Sequence, residues 1–240
     1  MRIALTTIAL ALAFPGHASE RCTEDAMVVF DGSGSMAETG FNQLDEPRIF
    51  DARRAVERAI PPIAKTRRLG LVVYGPNGTD ACNGVHLEFR PAPDAASAII
   101  GRANTLEPAG DTALTEAVAL AADVLEHRSR AGTIVLVTDG KETCGGAPCQ
   151  LAAELAADSA DLTIHVIGFR VRGDFFAWGQ NSAAYTDAET VSRCLADRTG
   201  GLYVKAETVD ELIEAFHATL GCNVLSGTPA AAIRRVTTKG

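Results

Sequence analysis

Side chains with hard oxygen atoms lie directly after two of the most apolar segments of this sequence. Asp31-Gly32-Ser33-Gly34-Ser35 follows the apolar run Met27–Phe30, and Asp139-Gly140 follows Thr133–Thr138. A third group, Gly110-Asp111-Thr112, comes immediately before a segment with helical periodicity. Carboxylate and hydroxyl oxygens are the ligands that Mg²⁺ takes in proteins. The sequence therefore offers five candidate ligands of a magnesium-type site, which are Asp31, Ser33, Ser35, Thr112 and Asp139.

Each of these groups also has a simpler interpretation. Ser33 or Ser35 could cap the first helix, and Thr112 could cap the helix that follows it. Asp139-Gly140 could be a plain turn that ends a strand. A shared chemical role becomes the better explanation only if all three groups lie at the same edge of one sheet.

The pattern of apolar residues predicts such a sheet. Four segments are rich in β-branched residues and nearly free of charge, which is typical of parallel strands covered by helices on both faces. They are Met27–Phe30, Leu69–Tyr74, Thr133–Thr138 and Leu162–Phe169. Val85–Phe89 comes after a Gly/Pro/Asn turn, and we predict that it pairs antiparallel at an edge.

Amphipathic segments separate these strands. Leu114–Leu125 carries apolar residues on one helical face, and Val209–Leu220 does the same after a capping box formed by Thr208 and Glu211. The alternation predicts about six strands and six helices in an α/β fold. This is an open, doubly wound, mostly parallel sheet with helices on both faces and one antiparallel edge strand.

In such a sheet, ligands bind outside the carboxyl ends of the strands, where the strand order reverses. The three groups of oxygen ligands are all predicted to lie at that edge. The glycines between Ser33 and Ser35 allow the backbone to direct both hydroxyls at one point. Because hydroxyl ligands are neutral, a bound Mg²⁺ or Mn²⁺ would stay short of negative charge and would accept an acidic group from another molecule.

The residues Asp31-x-Ser33-x-Ser35, Thr112 and Asp139-Gly140, on this alternation of elements, resemble a von Willebrand factor type A domain with a metal-ion-dependent adhesion site. The resemblance covers about Cys22 to Cys222, and the segments Thr138–Cys144 and Ile167–Phe169 resemble bacterial members of the family. All five metal-site positions match. The resemblance implies the strand order 3-2-1-4-5-6 and a protein partner whose carboxylate completes the coordination of the metal.

Two features depart from the family's pattern. Asp111 places an additional carboxylate beside Thr112, and the loop 171–185 is longer and richer in aromatic residues. Phe175, Phe176 and Trp178 of this loop are candidates for the surface that contacts a partner, since exposed aromatic residues often anchor interfaces.

These observations predict a non-enzymatic, cation-dependent binding module that recognises an Asp or Glu of a partner protein. The alternative is a metal-assisted hydrolase of a phosphoryl or similar substrate, since bound Mg²⁺ can polarise a phosphoryl group. A hydrolase needs a general base beside the attacking water. The histidines after the predicted signal are expected to lie away from the strand ends next to the metal ligands, and they are His86, His127, His165 and His217.

The N-terminus predicts export. Residues 1–18 contain one basic residue, Arg2, then the apolar run Ile3–Phe14 and small residues at Gly16 and Ala18, which is typical of a secretory signal cut after Ala18. The residues before Cys22 do not suit lipidation. We therefore expect a mature domain over 19–222, a flexible tail over 223–240 and a periplasmic or secreted location, with no membrane span in the mature chain.

Charge and cysteine content agree with this location. The net charge of −8 argues against nucleic acid or an anionic membrane as partner. The chain has an even number of cysteines, which an oxidising compartment could pair completely. They are Cys22, Cys82, Cys144, Cys149, Cys194 and Cys222. Cys22 and Cys222 flank the domain and are predicted to pair. The other four allow three connectivities, among which a local Cys144–Cys149 bridge with Cys82–Cys194 is favoured.

Overall fold

The computed structural model describes Cys22 and residues 24–39, 46–76, 81–169 and 192–222. These residues form a six-stranded sheet with the order β3-β2-β1-β4-β5-β6. The strands are β1 (Asp25–Asp31), β2 (Leu69–Tyr74), β3 (His86–Ala92), β4 (Ala131–Thr138), β5 (Asp161–Phe169) and β6 (Tyr203–Ala206). All neighbours run parallel except β2 and β3. The predicted fold class, strand order and antiparallel edge strand are confirmed.

Helices cover both faces of the sheet. They are α1 (Arg48–Ala64), α2 (Ala96–Thr105), α3 (Leu114–Val124), α4 (Pro148–Asp158), α5 (helical residues 192–198) and α6 (Val209–Leu220). α1, α2 and α6 pack against one face, and α3, α4 and α5 pack against the other. The predicted capping box of α6 is present, with Thr208 accepting from the backbone N–H of Glu211.

Strand β1 is the centre of the sheet, and its side chains enter both apolar cores. Ala26, Val28 and Phe30 belong to one core, whereas Met27 and Val29 belong to the other. This alternation explains why the segment is apolar without interruption. The helical crossovers that follow β1 and β4 leave in different directions from these two neighbouring strands. A cleft for ligands is expected between their carboxyl ends.

The edge strand β3 differs from the sequence prediction in its bounds. It begins at His86 instead of Val85 and continues through Pro91 to Ala92, beyond the predicted end at Phe89. An edge strand pairs on one side only, so a proline without an N–H is tolerated there. Its pairing with β2 is irregular, with register shifts around Leu71.

Three disulfides connect the described cysteines. Cys22 pairs with Cys222, with 5.3 Å between their Cα atoms, as the positions of the two termini predict. The pairs Cys82–Cys144 and Cys149–Cys194 contradict the favoured local bridge and its companion. Cys149 lies in the first turn of α4, which shares an apolar core with α5, and α5 carries Cys194. Cys144 lies in the preceding loop and faces Cys82 instead.

Several predicted features lie outside the described residues. They are the signal over 1–18, the aromatic loop over 171–185 and the tail over 223–240. Within the described part of the chain, no helix combines the length and hydropathy that crossing a membrane requires.

Candidate metal centre

The five candidate ligands lie at the carboxyl ends of β1 and β4, as predicted. Asp31 is the last residue of β1, and Asp139 directly follows β4. Ser33 and Ser35 lie in the turn after β1, where a short 3-10 helix covers Gly34–Ala37. Gly75, with φ of +107°, allows this turn to approach the end of β2, because a Cβ at Gly75 would be 2.5 Å from Ser33 N.

Asp31 is fully buried, and both of its carboxylate oxygens accept hydrogen bonds. Oδ1 accepts from Ser33 N at 2.8 Å and from Ser33 Oγ at 2.6 Å. Oδ2 accepts from Thr138 Oγ1 at 2.9 Å. These bonds fix the carboxylate at the end of the central strand.

The two serine hydroxyls make three close contacts but have only two protons to donate. Ser33 Oγ donates to Asp31, and Ser35 Oγ donates to Asp139 Oδ1 at 2.6 Å. The two Oγ atoms are also 2.9 Å apart. Each hydroxyl has one proton, so one of the three contacts lacks a proton when both carboxylates are ionised. A cation bound by the lone pairs of both hydroxyls would remove this conflict.

Thr112 reaches the same place from the loop before α3. A Cβ built on Gly140 would lie 3.9 Å from both Thr112 Oγ1 and Ser35 Oγ, so the two hydroxyls face one position. The backbone of Thr112 exchanges two hydrogen bonds with Thr143, from Thr112 N to Oγ1 at 2.8 Å and from Thr143 N to Thr112 O at 3.0 Å. Asp111, the additional carboxylate, is exposed.

The simpler interpretations of these side chains as helix caps are wrong. Ser33 makes no capping hydrogen bond to the short helix, and the residue at the start of α3 is Ala113, with no side-chain cap. Glu142 caps α3 instead, because its Oε2 accepts from Thr115 N at 2.8 Å and from Thr115 Oγ1 at 2.6 Å. The hydroxyl of Thr112 is thus not used to begin the helix.

Arg48 is a member of the site that the sequence interpretation missed. This arginine is buried in the first turn of α1, and its Nη1 donates to Asp139 Oδ2 at 2.7 Å and to Ser35 O at 2.9 Å. Its Nε is buried and has no hydrogen-bond partner among the described residues. A cation in the first turn of a helix is unfavourable because of the helix dipole. This unusual position is the sequence feature that could have indicated a role for Arg48.

Burial and charge alter the acidity of groups at this edge. Burial and the neighbouring charge of Asp31 raise the pKa of Asp139 to about 6, although Ser35 and Arg48 act in the opposite direction. Burial, with a smaller contribution from Asp31, also raises the pKa of Tyr74, which lies beside Asp31 on β2. Two carboxylates crowded together in a buried position favour a bound cation.

The chemistry of the donor set fits Mg²⁺ or Mn²⁺. All five side chains offer oxygen, and four of them are buried. Nitrogen or sulfur ligands from the described residues do not contribute to this cluster. The assignment of the five residues as metal ligands remains a prediction that their geometry supports.

The four described histidines contact other groups. His86 Nε2 lies 3.2 Å from Pro76 O, and His127 Nδ1 lies 2.8 Å from Ser159 Oγ. His165 Nδ1 accepts from Leu202 N at 2.9 Å, and His217 lies in the last turn of α6. His127 follows α3 instead of lying within it, because the helix ends at Val124.

Comparisons with known proteins agree with this fold. Residues 26–142 match the family model of the von Willebrand factor type A domain. Over these residues the sequence therefore matches a von Willebrand factor type A domain. The uncharacterized protein YwmD of Bacillus subtilis (strain 168) is 28% identical over 220 residues, which cover 87% of this chain and 91% of that protein.

Solved structures show the same fold at low sequence identity. A von Willebrand factor type A protein from Catenulispora acidiphila superposes with a TM-score of 0.58 and 19% identity, over 82% of this chain and 42% of that one. The pilus adhesin SpaC from Lactobacillus rhamnosus GG gives a TM-score of 0.60 and 12% identity, over 84% and 30%. This chain thus spans less than half the length of either protein.

Proposed function

We propose that this protein is a non-enzymatic, divalent-cation-dependent module that binds another protein. The side chains that hold Mg²⁺ or Mn²⁺ in this proposal are Asp31, Ser33, Ser35, Thr112 and Asp139. The observation that carries the proposal is the proton shortage among the two serine hydroxyls and the two carboxylates. The hydroxyls give their protons to Asp31 and Asp139, which leaves oxygen lone pairs available to an ion.

The charges at the site favour an acidic partner. Asp31 and Asp139 contribute two negative charges, and the buried guanidinium of Arg48 offsets one of them. The hydroxyls of Ser33, Ser35 and Thr112 are neutral. A bound divalent ion would supply an electrophilic coordination position, to which an Asp or Glu carboxylate of the partner would be attracted.

Two further observations support a binding role outside the cytoplasm. SpaC, which shares the fold, is a pilus adhesin, and we extend the adhesion-type role to this chain as part of the proposal. Three disulfides are typical of proteins in an oxidising compartment. With the predicted secretory signal, they support a periplasmic or secreted location.

Metal binding is tested by calorimetry with Mg²⁺ and Mn²⁺. We expect one weakly bound ion per wild-type chain and no measurable binding in Asp31→Asn or Ser33→Ala, which remove a charge or a hydroxyl of the site. Asp158→Asn is the matched control, since this exposed carboxylate lies at the end of α4 and pairs with the exposed Arg128. Unchanged affinity in both site variants would contradict the metal assignment.

Partner binding is tested by capture from an extracellular fraction on the immobilised protein. We expect Mg²⁺-dependent retention that chelator abolishes and that Thr112→Val reduces. Retention that is undiminished in chelator would show that the metal site is not the recognition surface. Hydrolysis of p-nitrophenyl phosphate that needs both Mg²⁺ and Asp31 would favour the hydrolase instead.

A further inference from the structure

Thr112 lies in a segment without regular secondary structure, between α2 and α3. Two contacts fix this segment to the turn after β1, since Ala109 N donates to Gly32 O and Gly34 N donates to Gly110 O, each at 2.9 Å. These contacts hold the residues before Thr112. The position of Thr112 itself depends on the chain segments that contact it on its other sides.

Those supports come from two loops that are distant in sequence. On one side, Asp111 N donates to Ala81 O at 2.8 Å. Gly110 has φ of +72°, and a Cβ there would lie 2.9 Å from Ala81 O, so the two backbones are in close approach. On the other side, Thr143 exchanges both of its hydrogen bonds with the backbone of Thr112.

The disulfide Cys82–Cys144 joins these two supports. Cys82 follows Ala81 and Cys144 follows Thr143, and their Cα atoms are 5.5 Å apart. Cys144 N also donates to Glu142 Oε1 at 2.8 Å, and the other oxygen of Glu142 caps α3. The bridge and these hydrogen bonds thus enclose Thr112 between two loops that are distant in sequence.

We propose that the Cys82–Cys144 disulfide positions Thr112 for the cation and is therefore part of the metal site. This inference rests on the proposed function, because it assumes that Thr112 is a ligand. The disulfide acts through the 81–82 and 143–144 segments, and Thr112 is the only one of the five candidate ligands whose backbone contacts them in the described structure.

The chain offers a matched control in its other disulfides. Cys149–Cys194 connects α4 to α5 and spans 45 residues, compared with 62 for Cys82–Cys144. Because the entropy of loop closure grows only with the logarithm of loop length, the two bridges should contribute similarly to stability. They differ in that only Cys82–Cys144 borders the segment of Thr112.

The test compares Mn²⁺ affinity in the double variants C82S/C144S and C149S/C194S of the full chain. We expect the dissociation constant to rise about tenfold in C82S/C144S, in line with the loss of a group that orients a metal ligand. It should change less than about twofold in C149S/C194S, while both variants lose a similar amount of thermal stability. Equal affinity in both double variants would overturn the inference.

A double-mutant cycle with Thr112→Val separates positioning from general loosening. If the disulfide acts through Thr112, its removal should no longer weaken Mn²⁺ binding when the Thr112 hydroxyl is absent. A further tenfold loss in the triple variant would show a merely structural role and overturn the inference. Wild-type protein that binds no Mn²⁺ would contradict the proposed function instead.

A second variant keeps the test decisive if C82S/C144S does not fold. Thr143→Val removes the Oγ1 that accepts from Thr112 N and leaves the disulfide intact. We expect a two- to fivefold rise in the Mn²⁺ dissociation constant with the fold preserved. An unchanged constant would show that the support from this side does not position Thr112, which contradicts the proposal.

Discussion

The sheet buries an arginine beside a carboxylate at its amino-end edge, where the strands begin, and at its carboxyl-end edge, where the parallel strands end. The two sites differ in how many of their polar groups have hydrogen-bond partners. At the amino ends of the strands, Arg67 donates to Leu220 O at 3.0 Å and Thr133 Oγ1 at 2.7 Å, and it also bonds Glu24 through the backbone and side chain. At the carboxyl ends, Arg48 has a buried Nε with no hydrogen-bond partner among the described residues.

The difference indicates which edge stabilises the fold and which edge binds a ligand. A buried polar cluster whose hydrogen bonds are complete holds its elements in one arrangement. When both carboxylates are ionised, the cluster around Asp31 and Asp139 lacks a proton for one of its contacts, so an added cation would complete its polar groups. Hydrogen bonds are thus complete at the amino-end edge, whereas a proton is lacking at the carboxyl-end edge. Mutations at the two edges should reveal this contrast.

The largest effect is expected from Arg67→Met. This change removes the guanidinium that bonds the side chain of Glu24, the hydroxyl of Thr133 and the carbonyl of Leu220, and the loss of these hydrogen bonds costs about 3 kcal/mol. Urea unfolding of the metal-free protein measures it. Arg128→Met is the control, since Arg128 forms an exposed pair with Asp158, and no measurable change is expected there. A cost for Arg67→Met below about 1 kcal/mol would contradict the structural role of this edge.

The second prediction concerns the response of the other edge to a cation. A ligand that binds only the folded state stabilises it by about 2.7 kcal/mol at a concentration one hundred times its dissociation constant. We expect this gain from Mg²⁺ in the wild-type protein and in Arg67→Met, and none in Asp31→Asn. Thermal unfolding with and without Mg²⁺ measures it. A gain that survives in Asp31→Asn would place the ion elsewhere.

Much of this contrast could be predicted from the sequence, for identifiable reasons. Apolar runs predicted the central strands because residues such as Val28 and Val29 are buried on opposite faces. Four of the candidate ligands were predictable because they lie at or just after the ends of those strands, and Thr112 because it directly precedes a helical segment. Arg48 was not, because the direction of a side chain at the start of α1 depends on how the helix packs. The pairing of Cys144 failed for a similar reason, since it depends on the path of a loop.

The third prediction is a pH effect at His165, which lies in the middle of β5 and feels the charge of Arg67 at the amino-end edge. Burial, with a smaller contribution from the charge of Arg67, lowers the pKa of His165 to about 4. The unfolded chain therefore binds more protons than the folded one between the ordinary histidine pKa of about 6.5 and about 4. Stability contributed by neutral His165 is complete above this window and is lost as the pH falls through it.

The size of this effect is about 2 kcal/mol at pH 4.5, after allowance for solvent that reaches the ring. It is measured as the difference in unfolding free energy between pH 7 and pH 4.5, in the wild type and in His165→Gln. Groups that titrate in both proteins, including Asp139, cancel in this comparison. An equal pH response in His165→Gln would show that another group is responsible.

The smallest effect comes from two threonines that precede helices, Thr112 before α3 and Thr208 before α6. Thr208 caps its helix, with Oγ1 accepting from Glu211 N at 3.2 Å, whereas α3 has no side-chain cap from the residue at its start. Thr208→Val should therefore cost about 1 kcal/mol of stability and leave Mg²⁺ affinity unchanged. Thr112→Val keeps the shape of the side chain and removes a hydroxyl that caps nothing, so metal-free stability should change by about 0.5 kcal/mol or less while Mg²⁺ affinity falls. Urea unfolding and calorimetry on the same two variants measure both quantities. If Thr112→Val instead lost stability and kept its affinity for the ion, the hydroxyl at the carboxyl-end edge would serve the fold, and the contrast between the two edges would fail at that residue.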